Sequence, residues 1–252
     1  MIKPHFFLSA TLVFYVVLAL ASLPVSAAER RVLVLNDTNE PPFTTAQGDG
    51  FIDIVATEAF RRAGAELRLV KLPAERGLIN ANNGLEDGDL TRIAGLEQQY
   101  PNLMQVPEKL MDWEFTAFSK NADIAASWAA IRQHSVGHIK GWKIYEKNMA
   151  GAEQVITADD PDQLFQLLGH NRVEVALYAR WMGQAYLKQQ HMQGVHALEP
   201  PLATREMFIY LHKRHAELIP KITEALRALK REGFYQRIQR VKLQPYRQTA
   251  SP

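Results

Sequence analysis

The chain has 252 residues, with 29 basic and 27 acidic side chains, a formal net charge of +2 and no cysteine. So even a balance excludes a general nucleic-acid surface, which needs a clustered basic excess. The missing cysteines exclude disulfides, thiolate metal sites, cysteine nucleophiles and an acylated-cysteine anchor.

Lys3, an apolar run from Phe6 to Leu20, Pro24 and the small residues Val25-Ser26-Ala27 are the three parts of a secretory signal peptide. The run is shorter than the ~20 residues that span a bilayer. Residues 1–27 are therefore read as a cleaved leader and the protein as periplasmic. The 225 residues that remain suit one large domain or two lobes of about 100 residues each.

Arg31–Leu35 is a β-rich run, stopped by a loop from Asn36 through Pro41-Pro42-Phe43. Apolar spacing from Phe51 to Phe60 predicts a helix to about Arg62, with Gly64 as its stop. Leu67–Val70 reads as a strand, and Pro73 opens a helix carrying Arg76. The stretch Gly84-Leu85-Glu86-Asp87-Gly88-Asp89-Leu90-Thr91-Arg92 turns on glycines and short carboxylates, then becomes a strand ending near Ile93. An arginine leaving such a strand toward a crevice is placed to bind an anion.

Leu103–Val106 and Trp113–Ser119 read as strands, and Asn121–Arg132 as a turn and a helix. Val136–Ile139 is a strand broken by Lys140-Gly141, with a helix starting near Trp142. Val155–Thr157 is a strand; Asp159-Asp160-Pro161 opens a helix that runs to Gly169. Val173–Tyr178 is a strand, Arg180–Gln190 a helix, and Met207–Leu211 the last strand. A strongly amphipathic helix covers about Glu217 to Arg231, stopped by Gly233. The tail from Gln244 is expected to be disordered. Strands alternating with helices define an α/β protein with mostly parallel sheets, whose ligands bind beyond the strands' carboxyl ends.

Catalytic signals are weak. The pairs His134/His138, His191/His196 and His212/His215 lack an HExxH frame, so no metal site is expected. The mature serines show no G-x-S-x-G, and there is no G-x-G-x-x-G or phosphate loop, so no cofactor is expected. Lys140-Gly141-Trp142 is the better candidate. A strand turning through glycine into a helix exposes N–H groups to an anion, and Trp142 can stack on a ligand or fill the core.

The order of these segments resembles the family 3 extracellular solute-binding proteins, periplasmic receptors of polar amino-acid importers. Val34-Leu35-Asn36-Asp37 with Pro42-Phe43 is similar to the family's first strand and Pro-Phe ligand loop. Gly50-Phe51-Ile52-Asp53-Ile54 resembles its glycine-led first helix, and Asp87-Gly88-Asp89 its G-x-x-D strand start. Val136-Gly137 with Lys140-Gly141 resembles V-G-x-x-x-G, Asn171–Val175 the G-R-x-D-A approach, and Leu226–Ile238 the family's ending.

The resemblance implies a two-lobed, type II periplasmic-binding-protein-like α/β fold with two hinge crossovers. Lobe one would hold residues 28–114 and 212–252, lobe two 121–205, with hinge strands at 115–120 and 206–211. A small polar solute would bind between the lobes, with Asp37, Glu40, Phe43, Arg76 and Arg92 on one wall and Gly141, Trp142, Tyr178 and Arg180 on the other. Its partner would be an ABC permease or a membrane sensor. Two departures bear on the ligand. The region matching the family's carboxylate-clasping T-x-E-R is Ile93–Gln98, without arginine. Where the family carries an aspartate for the ligand's ammonium, this chain reads Tyr178-Ala179-Arg180, which favours an anion. The expectation is a non-catalytic solute receptor. A sensory or interaction module of the same fold and a dehydratase-like periplasmic enzyme on that scaffold are the alternatives.

Overall fold

A ten-stranded mixed sheet runs through the computed structural model, which describes residues 31–38 and 40–247. Strands β1 (Arg31–Asn36), β2 (Ala65–Val70) and β3 (Gly88–Arg92) lie parallel in the order β2-β1-β3. After β4 (Leu103–Gln105) and β5 (Met111–Ser119), the strands β6 (Val136–Ile139), β7 (Val155–Ala158) and β8 (Val175–Ala179) repeat the arrangement as β8-β6-β7. The short β9 (His196–Ala197) adds to β5, and β10 (Ala203–His212) closes the set.

Strands β5 and β10 connect the two halves. They pair antiparallel with each other over Met111–Phe115 and Ala203–Met207. Beyond that, β5 continues along β8 to Ser119, while β10 continues along β3 and β4 to His212. Both strands therefore change partner near the middle of the sheet.

The helices follow as α1 (Phe51–Arg62), α2 (Ala74–Asn82), α3 (Trp128–Ile131), α4 (Lys143–Met149), α5 (Pro161–Gly169), α6 (Arg180–Gln189), α7 (Ile219–Arg231) and α8 (Phe234–Lys242). Helix α1 shows how the sequence fixes such an element. Asp53 in its first turn accepts the N–H groups of Gly50 and Thr45, each at 2.9 Å, satisfying donors that precede the helical ladder. Phe51, Ile52, Val55, Ala56, Ala59 and Phe60 form the buried stripe that packs on β2, α7 and α8. Arg61 and Arg62 favour the negative end of its dipole, and Gly64 leaves at φ +86°. Each large apolar residue in that stripe contributes about 1.5–3 kcal/mol by leaving water. Helix α5 is capped as read: Asp160 accepts from the Gln163 N–H at 2.8 Å, with Pro161 following.

The α/β, two-lobed architecture agrees with expectation, and several local readings change. Strand β10 begins at Ala203, four residues before the predicted start, because Thr204-Arg205-Glu206 is exposed and polar yet pairs with β5. Only Trp128–Ile131 of the 121–132 stretch is α-helical, and the segment before α7 is a 3-10 turn from Lys213 to Leu218. Helix α8 was not anticipated as a separate element. The predicted disordered tail begins instead with a 3-10 turn, Gln244–Tyr246; Lys188 donates to the Pro245 carbonyl at 2.9 Å and sits 5.5 Å from the Tyr246 ring centre. The leader predicted at residues 1–27 and the tail beyond Arg247 lie outside the described residues. Among the described residues, no helix is long and apolar enough to cross a membrane.

Candidate functional site

The carboxyl ends of β1, β3, β6 and β8 carry the expected ligand residues other than Arg76, which follows β2 on α2. From the first half, the loop after β1 presents Glu40 and Pro41. From the second, α5, β8 and α6 present Asp162, Tyr178, Met182 and Tyr186. Together they line a cavity of about 380 Å³, within the usual size of small-molecule sites. Among the described residues, no lysine, arginine or histidine lines it.

An aromatic row lies beside this cavity. Phe43 is fully buried and meets Trp113 edge-on at 5.9 Å. Trp113 in turn meets Trp142 edge-on at 6.0 Å, and Trp142 lies 5.0 Å from Tyr178 and stacks on Tyr145 at 5.7 Å. Edge-on and offset contacts of this kind are the favoured aromatic geometries. Trp142 is half-buried, whereas Tyr178 is 2 % exposed. Burial, reinforced by the Glu40 carboxylate, pushes the Tyr178 phenol up. Burial and the hydrogen bond with Asp162 push the Tyr186 phenol up as well. Both phenols therefore stay neutral.

The remaining expected site residues have other partners. Asp37 is 1 % exposed and accepts from the Thr44 hydroxyl at 2.7 Å. It lines a second cavity of about 650 Å³ in the first half, together with Thr45, Asp53, Lys71 and the other side of Glu40. Phe43 belongs to the core because its ring has no exposed surface. Arg76 lies exposed in the first turn of α2 and lines neither cavity.

Arg92 turns inward. Its Nη2 donates to Asp89 Oδ2 at 2.7 Å and to the Ala74 carbonyl at 2.9 Å. Asp89 is fully buried and also accepts from Asn36 Nδ2 at 3.1 Å. Burial pushes the Asp89 carboxyl up, and Arg92 and Asn36 pull it part of the way back. Arg180 is 9 % exposed and ion-pairs with both Glu114 on β5 and Glu199 ahead of β10. The Gly141 N–H, at the left-handed φ of +87°, donates to Glu146 at 2.7 Å. Lys143 pairs with the same carboxylate at 2.9 Å, and these two contacts, the Lys143 one first, hold Glu146 low. Of the anion receptors read from the sequence, Arg92, Arg180 and the Gly141 N–H are thus occupied by the protein's own acids.

Sequence reasoning missed Asp162, Met182 and Tyr186. Asp162 follows Asp160-Pro161, and an acid there reads simply as a favourable first-turn charge. Met182 and Tyr186 share one helical face at i, i+4, a spacing that reads as core.

No family model matches the chain. An uncharacterized protein of Shewanella oneidensis is 23 % identical over 203 residues, covering 73 % of each chain. Among solved structures, the GluR0 ligand-binding core in complex with L-glutamate superposes with a TM-score of 0.73 at 13 % identity, over 86 % of this chain and 99 % of that one. A histidine kinase sensor domain similar to periplasmic binding proteins gives 0.71 at 16 % identity, over 85 % and 96 %. An ancestral arginine-binding protein bound to arginine gives 0.70 at 21 % identity, over 85 % and 99 %. The chain shares the two-lobed α/β fold of these structures.

Proposed function

We propose that this chain is an exported, non-catalytic receptor that captures a small polar solute between its two lobes and delivers it, or reports it, at the membrane. In this reading residues 28–114 and 212–252 form one lobe, 121–205 the other, and the crossing strands act as hinges. Ligand contacts to both lobes would favour the closed state. The observation that carries the reading is the 380 Å³ cavity, whose walls come from the Glu40 loop on one side and from α5, β8 and α6 on the other. Glu40 and Tyr178 keep their place as ligand residues; Asp162, Met182 and Tyr186 join them. Neighbours of this fold include amino-acid receptors of ABC importers and a kinase sensor domain, so either an importer or a membrane sensor fits as the partner.

Calorimetric titration of the mature chain against a broad metabolite panel tests the proposal, with small-angle scattering to follow closure. A saturable heat with a contraction supports it, and Met182→Trp should abolish the heat by filling the cavity. If no solute gives either signal, the receptor reading fails. Capture of a permease or of a sensor kinase from membranes then separates the two partners.

A further inference from the structure

We infer that the solute is a cation without a carboxylate, an amine or guanidine lacking the acid end of an amino acid. This rests on the receptor reading above and narrows it.

Three of the groups expected to receive a carboxylate are engaged by acids of the chain itself, and the fourth, Arg76, is exposed and lines neither cavity. Arg92 is held by Asp89, Arg180 by Glu114 and Glu199, and the Gly141 N–H by Glu146. A ligand carboxylate would have to displace one of these acids. Displacing Asp89, fully buried beneath α2, would leave a charge in a dry site without its counter-ion, which is strongly unfavourable. Displacing Glu146 would strip two donors from it at once.

The cavity has the opposite polarity. Glu40 enters from one half and Asp162 from the other, with no basic side chain among the described residues of the lining. Both carboxylates line one cavity, so a cation bound there is attracted by each of them. The rings of Tyr178 and Tyr186 and the thioether of Met182 supply polarizable surface suited to an ammonium or guanidinium. Glu40 is engaged by Lys71 at 3.3 Å, but both side chains are about half exposed, at 49 % and 52 %. Exposed pairs of this type contribute little, so a ligand cation can take over the carboxylate. A zwitterion would gain at its ammonium end and lose at its acid end.

Matched pairs differing only in the carboxylate test this directly: agmatine with L-arginine, putrescine with L-ornithine, tetramethylammonium with glycine betaine. Each is titrated calorimetrically into the mature chain, with glutarate as an anion and the metabolite panel in parallel. In at least one pair the decarboxylated member should bind tenfold or more tighter than its partner, and glutarate should not bind. Glu40→Gln and Asp162→Asn should each weaken that cation tenfold or more, with melting temperatures near the parent's to show that the fold is intact. Equal or tighter binding of the carboxylated members overturns the cation, as does binding only of glutarate or of a neutral solute; the receptor reading then stands. Absence of any binding across pairs and panel overturns both.

Discussion

Replacing Arg92 by alanine should lower stability and leave ligand affinity near the parent's, the reverse of what a cleft anion receptor would do. The Asp89 carboxylate has no exposed surface, and its Oδ2 is held by Arg92 at 2.7 Å and Asn36 at 3.1 Å. Without the guanidinium, a buried charge keeps only neutral donors, the Asn36 amide and the Thr91 backbone N–H. Breaking a buried pair from one side costs about 3–5 kcal/mol. The Arg92 side chain is 13 % exposed, so water can reach the gap, and the lower end, about 3 kcal/mol, is expected. That is a large share of the ~5–15 kcal/mol by which domains are stable.

The pH dependence adds a second signature. Burial already raises the Asp89 carboxyl above its unfolded value, and loss of Arg92 raises it further. A carboxyl with a raised folded pKa contributes stability that is full below the unfolded value and is lost as pH rises through the folded one. The deficit of Arg92→Ala should therefore be largest at pH 7 and shrink toward pH 4. Urea unfolding followed by tryptophan fluorescence at several pH values measures it, and Asp89→Asn in the Arg92→Ala background should recover most of the loss. A single variant within about 0.5 kcal/mol of the parent at pH 7, with binding abolished, would refute the buried-pair account.

Two further outcomes follow from the scaffold. Asp87 accepts the Val34 N–H at 2.8 Å and pairs with Arg214 and His215, and these bonds together outweigh burial and hold its carboxyl low. Burial, with Arg31 and Arg214 nearby, outweighs the pull of Asp87 and holds the His215 imidazole below its usual value. His215 thus binds a proton more readily unfolded than folded, so stability should fall as pH drops below ~6.5, with Asp87 adding to the loss below its own unfolded value. A flat thermal-melt profile between pH 7 and 5 would contradict this. At Gly50, an added Cβ would come within 2.3 Å of the Phe43 carbonyl oxygen, so Gly50→Ala should displace the Pro-Phe loop. It should destabilise by about 1–3 kcal/mol and weaken ligand binding through the neighbouring Glu40, read by the same unfolding and titration assays.

Most of the strands and long helices were legible because their signals are local and periodic: the stripe of α1, the Asp160-Pro161 start of α5, the apolar runs of β1 and β6. What was not legible depends on distant partners. Thr204–Glu206 is polar and exposed, and only pairing with Met111–Phe115 makes it strand. Helix α8 buries little besides Tyr235, too few apolar positions for a period to show. At the candidate site, Glu40 and Tyr178 were read from strand-end position, and both line the cavity. Asp162 was hidden by its own helix cap, and Arg180 was read alone because Glu114 and Glu199 are 66 and 19 residues away.

Arg180 shows how one substitution changes both the ligand and the scaffold. An arginine beside the position where an amino-acid receptor would carry an acid removes the counter-charge for a ligand ammonium at that point. Left free, it would invite an anion. Here its guanidinium is shared by Glu114, on β5 where that strand pairs with β10, and by Glu199, ahead of β10 on the other crossing. The side chain therefore ties the start of α6 to both connections between the halves. With that charge neutralised, the polarity of the cavity is set by what remains, Glu40 and Asp162. On the proposed reading these two acids favour a positively charged ligand, the reverse of what Arg180 read alone suggests.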